Sequence, residues 1–294
     1  MEPRGFGVRG IISSSMNELE FSPTTWRCII TPPAKGSWNM ALDESLLESI
    51  GLERSPAVLR LYSWNPGCVS LGYAQPIADI DHLKQEAFGW DIVRRPTGGR
   101  AVLHIDELTY SVIAPKDEPR VKGSIIESYR RLSKALLNAL GKLGLDAQAD
   151  KEYDLPEGSQ KNAAVCFEVP SNYEITVAGK KLIGSAQARK HKAVLQHGSL
   201  PLFGNITRIL DIMPFSSSES KQRAKTKLTN HATTVESISG TKPPLDQAIE
   251  AFHQAFAETL NIQFDFKQPT EKEILRAYEL EKEKYKKPEW ISHK

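Results

Sequence analysis

Three short stretches of this sequence carry residue types that could share one piece of chemistry. The first, Val165-Cys166-Phe167-Glu168-Val169-Pro170-Ser171-Asn172-Tyr173-Glu174, sets a cysteine between a polar loop and a predicted strand, where binding and catalytic groups concentrate. A free thiol titrates near about 8.5, so roughly a few per cent is thiolate at pH 7. A neighbouring cation that lowers the value by about one or two units raises that fraction to tens of per cent. Lys181, across one predicted hairpin from Cys166, is such a cation. Spacing alone favours an inert buried thiol.

The second stretch, Arg94-Arg95-Pro96-Thr97-Gly98-Gly99-Arg100-Ala101-Val102-Leu103-His104, places paired glycines after a strand. Without a Cβ, such a backbone folds tightly against a ligand, and the flanking arginines could hold a phosphate or carboxylate. A tight hairpin with solvated arginines reads the same way, and this is no Walker sequence. In the third stretch, Gly179 to Arg189, the small residues Gly184, Ser185 and Ala186 leave a groove for a flat or linear ligand. Alternation puts Lys181, Ile183 and Ser185 on one face; an exposed lysine on an edge strand is the plainer alternative. The cluster Arg189, Lys190, His191 and Lys192 is a solvated turn or a dock for an acidic protein.

The remaining cysteines, Cys28 and Cys68, each sit in an apolar strand-like run and read as small buried hydrophobes. Three cysteines with no Cys-x-x-Cys pair argue for a reducing cytoplasm and against a disulfide framework or metal site.

These segments need an α+β scaffold to position them. Strands are expected at Trp26–Thr31, at Val58–Tyr62 and Cys68–Tyr73 around the Asn65-Pro66-Gly67 turn, and at Ile92–Arg95, Ala101–His104 and Leu108–Ala114. A helix capped by Ser37 runs to Ile50, and a short polar one covers Ala78–Phe88. The clearest helix, Ser124–Leu143, carries Ile125, Tyr129, Leu132, Leu136, Leu140 and Leu143 on one stripe. Asp150–Asn162 reads as a surface loop. Three strands follow at Tyr173–Val177, Lys181–Ala188 and Ala193–Leu200, then a serine- and lysine-rich segment, Pro214–Lys227, read as mobile. Helices at Leu245–Leu260 and Thr270–Tyr285 close the chain.

Hydrophobic residues make up 40% and charged residues 25% of the 294, with a net charge of +2. That balance gives no overall drive toward nucleic acid. No apolar run reaches the ~18 residues that span a bilayer. Residues 1–21 read as a disordered extension, with Met16 an alternative start, and 22–294 as one catalytic domain.

Taken together and in order, the three stretches resemble the lipoate-protein ligase and octanoyltransferase superfamily. They are most similar to the cysteine-dependent octanoyl-[acyl-carrier-protein]:protein octanoyltransferases (the LipM type). Trp38-Asn39-Met40-Ala41-Leu42-Asp43-Glu44 resembles the family's opening helix. Arg94–His104 with Glu107-Leu108-Thr109-Tyr110-Ser111 resembles its glycine turn and next strand, Gln196-His197-Gly198-Ser199 a later strand, and Lys284-Tyr285 with Glu289-Trp290 its close. The resemblance implies a mixed β-sheet flanked by helices, the lipoate/biotin-protein ligase catalytic-domain fold.

By the same resemblance Cys166 carries an acyl thioester and Lys181 lowers its pKa. Arg94, Arg95, Gly98, Gly99, Arg100, His104, Gly184, Ser185, Ala186, Gln187 and His197 bind substrate. The donor is octanoyl-acyl carrier protein and the acceptor a lysine of a lipoyl domain such as glycine cleavage H protein. No cofactor or metal is required, because a thioester is already activated. Arg100 stands where ATP-using ligases tend to have a third glycine, whereas Ile105 departs from the aspartate that usually follows the histidine. Oxyanion donors are sought near Gly98-Gly99 or Gly184, and acyl-pocket residues at Val69, Leu71 and Ile183. An ATP-dependent lipoate ligase and an octanoyl amidotransferase acting between lipoyl domains are the rival enzymes; a non-catalytic binder of acylated proteins is the rival of another class.

Overall fold

The computed structural model describes residues 21–149 and 174–292. Cys166 and the expected Asp150–Asn162 loop therefore lie outside the described residues, as does nearly all of the expected 1–21 extension. Its last member, Phe21, is tied in: its carbonyl accepts from Asn261 at 2.9 Å and its ring lies under the Arg120 guanidinium.

The framework is an eight-stranded mixed sheet. In chain order its strands are β1 (Thr24–Ile30), β2 (Val58–Tyr62), β6 (Glu107–Pro115), β7 (Ala147–Ala149), β8 (Ile175–Val177), β9 (Lys180–Lys190), β10 (Ala193–Pro201) and β11 (Ile262–Phe266). They lie in the order β11-β1-β2-β6-β10-β9-β8-β7. The β11-β1-β2 end is parallel and the remainder antiparallel. A separate three-stranded sheet sets β3 (Cys68–Leu71) between β4 (Asp91–Arg94) and β5 (Val102–His104). The strands expected on either side of Asn65-Pro66-Gly67 thus enter different sheets. The turn carries the chain from one to the other and does not close a hairpin.

Helices cover both faces of the large sheet. Leu132, Leu136, Ala139 and Leu140 of α3 (Ile125–Lys142) share a core with Phe252, Ala255 and Phe256 of α6 (Leu245–Leu260) and with Leu59, Tyr110 and Leu182 of the strands. The predicted α3 stripe holds except at Ile125, which is 49% exposed. Ser124 and Glu127 form a capping box there, worth ~1 kcal/mol in helices of this kind. On the other face α1 (Gly36–Gly51) lies between the sheet and α7 (Glu271–Leu280). Flanked on both sides, α1 buries polar residues as well as apolar ones, and each has a partner. Asn39 donates to the Ser63 carbonyl, Ser45 to the Glu273 carbonyl, and Asp43 meets Arg60.

The segment read as mobile, Pro214–Lys227, is mostly helix: α4 spans Ser218–His231, started by a Ser217–Ser220 capping box. Its composition hid it, because only Leu228 is buried and no apolar stripe is needed to hold it. The short polar helix is α2 (His82–Ala87), shorter than expected, with Asp81 as its N-cap. Two brief helices, α5 (Val235–Ser239) and α8 (Pro288–Ile291), complete the set. No helix among the described residues is long and apolar enough to cross a membrane.

Candidate functional site

The glycine turn, residues 95–101, joins β4 to β5 and is clasped from within by Arg95. Its guanidinium donates to the carbonyls of Gly98 and Arg100, each at 2.8 Å, and to the carbonyl and hydroxyl of Ser70 on β3. Gly98 and Gly99 are exposed at the tip. Gly99 adopts φ 97°, a region that favours glycine. A Cβ on Gly72 would fall 1.9 Å from the Gly99 carbonyl oxygen, so the turn and the loop after β3 touch backbone to backbone.

Arg94 is fully buried. It donates to the carbonyls of Gly72, Gln75 and Ile291 at 2.6–2.7 Å, and burial pulls its pKa below the usual arginine value. Trp290 returns the contact, its indole N–H donating to the Arg94 carbonyl at 2.9 Å. Arg94 thus ties the loop after β3 to the chain's C-terminal end, while Arg95 holds the carbonyls of the turn and the Ser70 hydroxyl. Arg100 is partly exposed beside it.

Two histidines brace this turn. His104 Nδ1 lies 2.6 Å from Glu107 Oε1 and its Nε2 2.7 Å from Ser70 Oγ, with its ring stacked on Trp64. The order Ser-His-Glu is that of a hydrolytic triad, but Ser70 is 1% exposed and its hydroxyl also accepts from Arg95. Its role is to hold the turn. The second histidine, His197 on β10, places Nε2 2.6 Å from Thr97 Oγ1 and Nδ1 3.6 Å from Asp43 Oδ2. A carboxylate beside Nδ1 favours the proton there, leaving Nε2 to accept from the Thr97 hydroxyl.

Burial lowers the His197 pKa, aided by the Arg95 charge and only partly offset by Asp43. For Asp43, burial alone would raise the pKa. Arg60 at 2.7 Å, His197 and the Ser111 hydroxyl together hold it below the ordinary carboxylate range.

Along β9 and β10 the expected groove residues come together beside this brace. His197 pairs with Ala186, Gly198 with Ser185 and Ser199 with Gly184. Ser185 Oγ lies 2.7 Å from the Tyr110 hydroxyl, which also accepts from Gln196, while Gln187 donates to Gln196 and to Ser128. A Cβ on Gly198 would strike the Gly184 carbonyl oxygen and Ser185 Oγ, each at 2.6 Å, so glycine is required for this crossing.

Lys181 is buried near the other end of β9, at 3% exposure. Its Nζ meets Glu174 Oε1 at 2.5 Å, and its carbonyl accepts from Thr233 at 3.0 Å. A buried ammonium is costly unless paired, and Glu174 supplies a carboxylate. The expected alternation fails here. A register shift against β8 sends both Leu182 and Ile183 into the core, so Lys181, Ile183 and Ser185 do not form one face.

The structure separates the expected acyl-pocket residues. Val69 and Leu71 are fully buried in a small core with Ile209 and Leu210, whereas Ile183 belongs to the large one. Cys28 and Cys68 are fully buried, and burial pushes the Cys28 thiol up to about 12. Glu44, Glu48 and His191 could offer a metal one ligand atom each within 4.8 Å. However, Glu44 already accepts from Lys284 and Tyr285, and Glu48 pairs with Arg276.

Sequence reasoning passed over Asp43, Thr97 and Glu174 as site residues. Asp43 sits on the same helix as an apolar stripe, and only its distant partners Arg60, Ser111 and His197 reveal it. Glu174 and Lys181 both stood in the quoted stretches, so an acid and a base flanking one hairpin were the available signal.

The model of the lipoyl protein ligase A/B catalytic domain matches residues 35–257. An octanoyltransferase LipM of Lysinibacillus sphaericus is 38% identical over 277 residues, covering 91% of this chain and 98% of that protein. One of Staphylococcus aureus is 38% identical, covering 92% and 99%. Among solved structures, a bipartite lipoate protein ligase from Thermoplasma acidophilum superposes with a TM-score of 0.76 at 24% identity, covering 91% of this chain and 96% of that one. It shares the fold.

Proposed function

The chain belongs to the lipoyl protein ligase A/B catalytic-domain family, and we propose that it transfers an octanoyl group from octanoyl-acyl carrier protein, through a thioester on Cys166, to a lysine of a lipoyl domain. Octanoyltransferase activity is what its relatives' names record. The donor and the cysteine intermediate are the finer parts of the reading. The observation that supports the cysteine intermediate is Lys181: an ammonium buried at 3% exposure and paired with Glu174, eight residues on in the chain from Cys166.

In the first half-reaction the Cys166 thiolate attacks the octanoyl carbonyl, and the carrier's thiol departs and takes up a proton. In the second, the lysine amine attacks the enzyme thioester, the S–C bond breaks, and the amine's proton passes to the departing sulfur. Lys181 would stabilise the thiolate in both directions. The braced backbone of Gly98 and Gly99 is one candidate for oxyanion stabilisation and Gly184 the other. A reactive free thiol suits a reducing compartment, and the cytoplasm is the one proposed.

The test is transfer without nucleotide. The purified protein should octanoylate a lipoyl domain from octanoyl-acyl carrier protein alone and fail with free lipoate, ATP and magnesium. ATP-dependent use of lipoate would make it a ligase. Transfer only from an already octanoylated lipoyl domain would make it an amidotransferase.

A further inference from the structure

Helix α4 presents a one-sided charged surface. It carries Lys221, Arg223, Lys225, Lys227 and His231 against one acid, Glu219, in a protein whose basic and acidic residues number 38 and 36. Lys221 is paired with Asp211 at 2.7 Å. Arg223, Lys225 and Lys227 are exposed.

The cations flank the inward Ala224–Leu228 line on both sides. Arg223 and Lys227 stand at i and i+4, as do Lys221 and Lys225. Like charges at that spacing cost an isolated helix about 0.2–0.5 kcal/mol per pair. Glu219, four residues before Arg223, offsets part of that repulsion, whereas Lys225 and Lys227 have no acid three or four residues away on the helix.

Its position matters as much as its charge. The residue after α4, Ala232, bridges the main chain of Lys181, and Thr233 donates to the Lys181 carbonyl at 3.0 Å. Lys180 adds a further cation at this end, its Nζ donating to the Thr229 carbonyl at 2.9 Å. At about 1.5 Å rise per residue, Arg223 lies roughly 13 Å along the helix from that bridge. The other basic cluster, Arg189 to Lys192, does not compete. Arg189 is turned back onto the carbonyls of Gly123 and Val121, and Lys190 lies over the Tyr73 ring.

We propose that the exposed face of α4 docks the acyl donor, an acidic carrier protein whose aspartates and glutamates flank the arm that bears the octanoyl thioester. This rests on the donor reading above. The acceptor's lysine must reach the same thioester, so its single charge does not decide which partner the basic rim holds; the two KM values do. The donor brings an uncharged thioester on a carrier that the same rim attracts.

The experiment measures direct binding of octanoyl-acyl carrier protein to the full chain, alongside KM for carrier and for lipoyl domain. The Arg223→Glu/Lys225→Glu/Lys227→Glu variant should weaken carrier binding about tenfold or more, raise KM for the carrier, and leave KM for the lipoyl domain unchanged. The corresponding triple glutamine variant should show a smaller loss and a shallower salt dependence, while Lys282→Glu/Lys287→Glu, on another exposed basic stretch, should bind as wild type. Binding needs no turnover, so it reads docking even where acyl transfer through Cys166 fails. Carrier binding unchanged in both α4 variants, or a loss confined to the lipoyl domain, overturns the proposal.

Discussion

Lys181 and Glu174 face each other across the β8–β9 hairpin, Nζ to Oε1 2.5 Å apart, with side chains only 3% and 6% exposed. Removing one member of a buried pair typically costs about 3–5 kcal/mol, because the other keeps its desolvation penalty. The Lys181→Ala variant should therefore melt lower than wild type, and a loss of activity in it would mix two effects. Lys181→Met/Glu174→Leu should recover stability without recovering activity, a separation that thermal melting and a transfer assay read directly.

In the proposed mechanism the same pair tunes the Cys166 thiol. Glu174 offsets the charge that Lys181 can offer a thiolate. In Glu174→Gln the pH at which Cys166 reacts with iodoacetamide should fall, and in Lys181→Met it should rise. Identical profiles in wild type and both variants would mean that neither side chain tunes the cysteine.

His197 gives a second, acid-side prediction. Burial holds its pKa below the ordinary histidine value, so the unfolded chain binds the proton more readily. Stability must then fall as pH drops below about 6.5, by at most ~1.4 kcal/mol per pH unit for this one group. Urea midpoints at pH 7.5, 6 and 5 should show a smaller acid loss in His197→Asn than in wild type. The lowered pKa of Asp43 adds a further loss only once pH falls below about 3.9. Equal slopes for the two proteins between pH 7.5 and 5 would contradict the assignment.

Arg60 and Asp43, both with fully buried side chains 2.7 Å apart, anchor α1 to β2 beneath that histidine. Arg60→Met should cost about 3–5 kcal/mol in urea unfolding. A loss below ~1 kcal/mol would show that Tyr62 and Ser111, which also donate to Asp43, suffice to hold the carboxylate.

Elements with their own periodicity were legible in the sequence: α3 by its stripe, α6 to the residue, and β2, β6 and β10 by their apolar runs. The β11 strand was not, because its partner β1 lies more than 230 residues away and a five-residue run between two helices gives no pairing signal. Nor was α4, which is polar around most of its circumference. The structure brings motif residues together where the backbone turns at Gly98 and Gly99, where Gly184 meets Gly198 across the β9–β10 pair, and where the His197 imidazole reaches Thr97. The site was misjudged at Val69 and Leu71, whose apolar character serves the core, and overlooked at Asp43, whose meaning comes from partners in β2, β6 and β10.

The central claim is that Cys166 carries the acyl group, and intact-mass analysis tests it most directly. Wild-type protein mixed with octanoyl-acyl carrier protein, without ATP, should gain one octanoyl group that hydroxylamine removes and that maps to Cys166. Cys28→Ala and Cys68→Ala should still gain it, while Cys166→Ala should neither gain it nor transfer octanoyl to a lipoyl domain. A Cys166→Ala protein that still octanoylates a lipoyl domain at the wild-type rate would contradict the account.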